Sequence, residues 1–146
     1  MQIDPKAAAI AECRILINAP LHRVWQLQTE IDRWSEWNPA VRRARLEGPL
    51  AVGSVFRWKS GGTSIVSTLA QVEPMSELAW TGRSFGIRAA HTWSFRRQGK
   101  SVAVVTRESF DGWVPRLLSR AAQAMLAATL RTWLKHLKQA AESAPR

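Results

Sequence analysis

Apolar and polar positions alternate at the start of the chain. Ala11, Cys13, Ile15 and Ile17 fall on one side, and Glu12, Arg14 and Asn18 on the other. A period of two is that of a pleated strand, so residues 9–18 are expected as the first strand. Ala19-Pro20 ends it, and proline is tolerated in the first turn of a helix, where its missing N–H leaves no bond unmade. Leu21, Val24, Trp25 and Leu27 then recur at helical spacing through Glu30. Asp32 reads as the N-cap of a second short helix, residues 33–37, stopped by Asn38-Pro39.

From Val41 to Asp111 the pattern becomes strand after strand, with turn residues at fairly regular intervals. Segments 41–47, 54–60, 63–72, 77–83, 87–97 and 101–110 are separated by Gly48-Pro49, Gly61-Gly62, Glu73-Pro74, Ser84-Phe85-Gly86 and Gln98-Gly99-Lys100. Short turns between consecutive strands imply an antiparallel meander. The period changes again after Asp111-Gly112. Residues 114–142 are good helix formers, and Pro115 falls in the first turn. One stripe runs through Leu118, Ala122, Met125 and Thr129, and an adjoining one through Leu126, Leu130, Trp133 and Leu137. One unbroken amphipathic helix is expected. The order predicts an α+β domain spanning 1–146: a curved antiparallel sheet of about seven strands wrapped around a long C-terminal helix, with two short helices after strand 1 closing one end.

The alternation also says which side chains face inward. On 87–97, Ile87, Ala89, His91, Trp93 and Phe95 share one face; on 101–110, Val102, Val104, Thr106, Glu108 and Phe110 do. A hairpin turning near Gly99 pairs residues whose numbers sum to about 198, which makes His91 and Glu108 neighbours to within a residue or two of register. Phe56 and Trp58 face inward on the third strand, as do Leu78 and Trp80 on the fifth. With Trp93, Met125 and Thr129 they form an aromatic-rich inner surface, which suits either a packed core or the lining of a small-molecule cavity. Glu108 is a carboxylate on an apolar face, a costly placement unless it is paired or hydrogen-bonded. Glu108, His91 and Thr106 are therefore read three ways: as mutually satisfied structural groups, as a patch orienting a ligand, or as an acid–base pair. Trp34 and Trp37, three apart, can press on one neighbour as a cap on the sheet or a gate, with Trp113 joining them.

Composition adjusts this picture in three places. Eight tryptophans stand beside no tyrosine in 146 residues, so large apolar plates with a single donor dominate the interior. The single cysteine, Cys13, excludes an internal disulfide and is expected as a structural residue. The net charge of +10 raises nucleic-acid binding, but only Arg42-Arg43-Ala44-Arg45 forms a dense cluster, and a solvated basic surface is the simpler reading. Contact of that cluster with anionic lipid stays as an alternative. No apolar run is long enough to cross a bilayer, and the first ten residues lack the pattern of a signal peptide, so a cytoplasmic location is expected. His22, His91 and His136 have no metal-ligand spacing, and no nucleotide or nucleophile-elbow motif occurs. No cofactor or metal is expected, and no oligomeric state is implied.

Several segments together resemble one family. They are Ile17-Asn18-Ala19-Pro20 with Val24-Trp25, Trp34-Ser35-Glu36-Trp37-Asn38-Pro39, Gly53-Ser54-Val55-Phe56-Arg57-Trp58, and Val72-Glu73-Pro74 before Leu78-Ala79-Trp80. His91-Thr92-Trp93-Ser94-Phe95 and Glu108-Ser109-Phe110-Asp111-Gly112 follow, before the terminal helix. In this order they resemble the START-like helix-grip superfamily (SRPBCC), in its polyketide cyclase/dehydrase-type branch. The resemblance implies an internal cavity that takes a hydrophobic or aromatic molecule such as a lipid or polyketide. It implies no fixed reaction. A cyclase or dehydratase using Glu108 and His91 is the alternative to binding alone.

Overall fold

The computed structural model describes residues 1–143. Strand β1 (Ala9–Ile17) leads into helix α1 (Leu21–Thr29) and a 3-10 helix (Ile31–Glu36). Strands β2 (Val41–Glu47), β3 (Val55–Ser60), β4 (Thr63–Glu73), β5 (Glu77–Ser84), β6 (Ile87–Gln98) and β7 (Ser101–Asp111) follow. Helices α2 (Trp113–Leu117) and α3 (Ser119–Glu142) end the described chain. The strands form one antiparallel sheet in the order β1-β7-β6-β5-β4-β3-β2. The meander accounts for five of its neighbour pairs, and β1 returns to the far edge beside β7. This is the helix-grip arrangement, a curved open sheet around a C-terminal helix.

Helix α3 crosses the concave face and buries Ala122, Leu126, Leu130, Trp133, Leu134, Leu137 and Ala141, a stripe at helical spacing. Its ends are tied to other elements. Gln123 Oε1 accepts the Ile10 N–H at 2.9 Å near the start. At the finish, Arg23 donates to the Ala141 and Ala140 carbonyls at 2.8 and 2.9 Å, satisfying acceptors that a helix end leaves open. Helix α1 lies alongside, with Val24 and Trp25 turned to the core.

Two expectations are corrected here. The terminal helix is broken: Leu118, at φ −120° and ψ 48°, separates α2 from α3. The cause is an anchor that the helical period does not encode. Asp111 takes Arg116 at 2.9 Å and Arg88 at 3.4 Å, holding α2 against the end of β6. The Val114 N–H donates to the Gly86 carbonyl at 3.2 Å. Gly86, at φ +68°, has no room for a side chain, since a Cβ there would stand 2.5 Å from Val114. With α2 fixed there, the chain must redirect before α3 can cross the sheet. Leu118 is consequently exposed, not on the inward stripe. Asp32, in turn, is not an N-cap. It is the second residue of the 3-10 helix, and its Oδ1 accepts the Leu46 N–H at 2.6 Å, pinning that helix to β2.

Candidate functional site

The concave face has two parts. Beneath α1 and the C-terminal half of α3 it is filled by aromatic rings. Trp34 packs edge-to-face on Trp133 at 5.0 Å and on Phe56 at 5.6 Å. Trp37 also meets Trp133, at 6.3 Å, so both tryptophans of the 3-10 segment press on one residue. Gln28 clamps this cluster: its Oε1 accepts the Trp133 indole N–H and its carbonyl accepts that of Trp34, both at 3.0 Å. Fully buried, Gln28 fixes two indoles through its side-chain and backbone oxygens, while its amide Nε2 is left without a partner among the described residues. Phe56, Leu78 and Trp93 belong to this packed region.

Towards the β5–β6 turn the packing opens. A cavity of about 170 Å³ lies between α3 and the sheet, lined by Trp58, Ile65, Ser67, Trp80, Gly82, Ile87, Ala89, Glu108, Phe110, Met125 and Thr129 among others. The sheet register explains it. Ser67, Gly82 and Ala89 sit side by side on β4, β5 and β6, a cross-strand row of small residues. The next row, Leu69, Trp80, His91 and Glu108, walls the space from the aromatic cluster. Trp58 is held at the rim by its indole N–H donating to Ser67 Oγ at 3.0 Å. A wider depression of about 450 Å³ beside Pro20 and Lys100 is more open to solvent and lies outside this face.

His91 and Glu108 are directly opposite across β6–β7. The register sum is 199 because the turn is centred between Gly99 and Lys100, with Gln98 paired to Ser101. His91 Nδ1 stands 3.3 Å from Glu108 Oε2, and Nε2 stands 2.7 Å from Thr106 Oγ1. Thr106 has one hydroxyl proton, which it gives to the Thr92 carbonyl at 3.0 Å. It therefore accepts from His91 Nε2–H, which assigns the tautomer. The Nδ1–Glu108 contact is then attractive when one proton lies between the two groups, carried by either. The imidazole is stacked on Trp93, ring centres 4.9 Å apart, and packed against Trp80 at 4.8 Å. This arrangement sets a carboxylate on the wall of a mostly apolar space and backs it with a buried imidazole.

Of the residues predicted as site residues, Trp58, Trp80, Glu108, Met125 and Thr129 line the cavity. His91 and Thr106 lie behind Glu108, fully enclosed. Phe56, Leu78 and Trp93 are buried in the packed part and do not reach the space. Ser67, Gly82 and Ala89 were not singled out from sequence, although each holds an inward position and their small size was legible. Trp113 is not with Trp34 and Trp37; it stands exposed at the opposite end, edge-to-face with Phe85 at 5.3 Å. Among the described residues, no three His, Cys, Asp or Glu side chains are grouped to hold a metal, and no helix is long and apolar enough to cross a membrane.

A curved sheet, a gripping helix and an aromatic-lined space define a START-like helix-grip protein. The chain belongs to the family described as polyketide cyclase / dehydrase and lipid transport, which it matches over residues 9–142. Solved structures share the fold at low identity. A hypothetical protein from Helicobacter pylori superposes with TM-score 0.82 at 16% identity, over 94% of this chain and 90% of that one. A START superfamily protein from Mycobacterium smegmatis gives 0.75 at 12% identity, over 91% and 97%. DynU16, from the dynemicin biosynthetic locus, gives 0.71 at 19% identity, over 89% of this chain and 46% of its own. A search of curated proteins finds no match to the sequence.

Proposed function

We propose that this protein binds a small aromatic or otherwise apolar molecule carrying a hydrogen-bond donor, in the cavity between α3 and the sheet. The observation that carries this reading is Glu108: one carboxylate on the wall of a mostly apolar space, backed by His91 and Thr106. Trp58 and Trp80 offer flat surfaces to the ligand body, and Glu108 accepts from its hydroxyl or amine. A space of about 150 Å³ admits a benzene-sized molecule, so one ring fits inside and a second extends past Met125 at the mouth. Membership of a family named for lipid transport and polyketide chemistry supports an apolar ligand. Calorimetric titration with 2-naphthol tests the reading. Binding that weakens at least tenfold in Trp80→Ala is expected; equal affinity in the variant contradicts it.

The proton arrangement favours a second reading, a cyclase or dehydratase. Glu108 would take a proton from a carbon beside a ligand carbonyl and return it to a departing hydroxyl, which leaves as water as the carbon–carbon double bond forms. His91 would hold the shared proton in turn. In this reading Glu108→Gln abolishes turnover of a β-hydroxy ketone while affinity for it is largely spared. Normal turnover in that variant rules the chemistry out.

A further inference from the structure

The end of the molecule at the β5–β6 turn carries large apolar side chains that no described residue covers. Phe85 is 82% exposed, Trp113 57%, Leu117 73% and Leu118 56%. They form a group: Phe85 and Trp113 are in ring contact, and Leu117 follows Trp113 by one turn of α2. A contiguous apolar patch of this kind on a folded surface marks a contact site. Its surroundings are basic. Arg83 and Arg88 flank the turn, and Arg116 and Arg120 lie on and just after α2. The nearby carboxylate, Asp111, is already engaged by Arg88 and Arg116.

The sheet register adds a second observation. Arg83 stands directly opposite Arg88, and Arg45 directly opposite Arg57, on the outer face. Val66 of β4 pairs with both Arg57 and Arg83, so the four cations lie in a single cross-strand row. Like charges facing each other across strands oppose folding; Glu47 offsets this at Arg57 and Asp111 at Arg88, and an anionic surface laid against the row would offset it at Arg45 and Arg83 as well. Indole and phenyl rings favour the headgroup level of a bilayer, and arginines bury their stems there while keeping the guanidinium at the phosphates.

We infer that this end docks on an anionic membrane surface, with Phe85, Trp113 and Leu117 entering the headgroup region and Arg83, Arg88 and Arg120 contacting lipid phosphates. Of the Arg42–Arg45 cluster that the sequence brings to notice, only Arg45 belongs to this row, at the end farthest from the apolar group. Docking also turns the cavity mouth, where Ser84, Ile87 and Met125 stand, towards the bilayer. That last consequence rests on the ligand reading above; docking itself does not, since it is measured with no cavity ligand present.

The test is flotation of the full chain with phosphatidylcholine vesicles, with and without phosphatidylserine. The protein is expected to float with phosphatidylserine vesicles and to be released by added salt. Trp113→Ser with Leu117→Ser should lower binding at least tenfold, and Phe85→Ser several-fold, with circular dichroism and 2-naphthol binding unchanged. Arg120→Glu should weaken it several-fold, whereas Lys100→Glu, at the opposite end of the sheet, changes it less than twofold. No flotation, or flotation indifferent to the apolar substitutions, overturns the proposal. Equal losses in Arg120→Glu and Lys100→Glu also overturn it, because they mean that charge alone is read. Self-association abolished by Trp113→Ser/Leu117→Ser, without vesicle binding, assigns the patch to a second copy of the chain instead.

Discussion

Two halves of one concave face, built from the same strands and covered by the same helix, end in opposite states. At the α1 end, Trp34, Phe56, Trp93 and Trp133 fill the space, and buried indoles are fixed through Gln28. At the β5–β6 end, Ser67, Gly82 and Ala89 face the helix, and α3 offers Met125 and Thr129 near its exposed side. The difference is one of side-chain volume along the strands, not of backbone: a void remains where three adjacent strands carry small residues in register. One half therefore supplies stability and leaves the other free to stay open. Interiors are ordinarily packed as tightly as organic crystals, so a cavity of this size at a buried carboxylate is a departure from ordinary packing, and it is the space the proposed ligand would occupy.

The largest effect expected from this contrast is in stability. Trp133→Ala should lower unfolding free energy by about 3–5 kcal/mol, because it opens the packed half, whereas Thr129→Ala in the open half should change it by about 0.5 kcal/mol or less. Urea denaturation of the two variants reads both, and comparable losses would erase the distinction. The next effect is in binding. Ala89→Leu should fill part of the void and reduce 2-naphthol affinity at least tenfold, with stability unchanged or raised by about 1 kcal/mol. A loss of about 2 kcal/mol or more would mean that the space is already packed.

A smaller effect concerns polarity. Glu108→Gln should weaken 2-naphthol binding by about tenfold, as expected for loss of a charge-assisted hydrogen bond, and leave naphthalene binding unchanged. Equal losses for both ligands would place Glu108 in a structural role.

The smallest effect lies at the rim. Burial alone would raise the Asp111 carboxyl, but the Gly112 N–H and the guanidiniums of Arg116 and Arg88 outweigh it and hold the group below the ordinary aspartate range. Its folded value is thus below its unfolded one. The anchoring of α2 is fully present above the unfolded value and disappears as pH falls through the folded one. The indole resonance of Trp113 should shift in that acid window in the wild type, and Asp111→Asn should remove the shift.

Much of this is legible in the sequence alone. The period-two segments reproduce every strand to within about two residues, and turn chemistry explains why: all five connections within the meander carry Gly or Pro at the predicted position. The alternation on β6 and β7 places His91 and Glu108 on one face, and a short turn brings them opposite, off by one in the register sum. The break at Leu118 was not legible, because it depends on Asp111 and Gly86, contacts remote from the helical pattern. Two adjoining stripes competed for the inward side of α3. Leu126, Leu130, Trp133 and Leu137 took it; of the other stripe Ala122 is buried beside Leu126, whereas Met125 and Thr129 stand on the exposed side. Nothing local in α1 marks Gln28 as a partner of two indoles. The void itself follows from three residues being small at once in neighbouring strands, which periodicity records only as inward positions.

The indole N–H resonances of the eight tryptophans sample both halves of the interior at once. A titration with 2-naphthol followed on those resonances is the most direct test. Shifts at Trp58 and Trp80, with Trp25 and Trp34 unmoved, are the predicted result. Shifts confined to the exposed Trp113, or none at saturating probe, would contradict a ligand site in the open half.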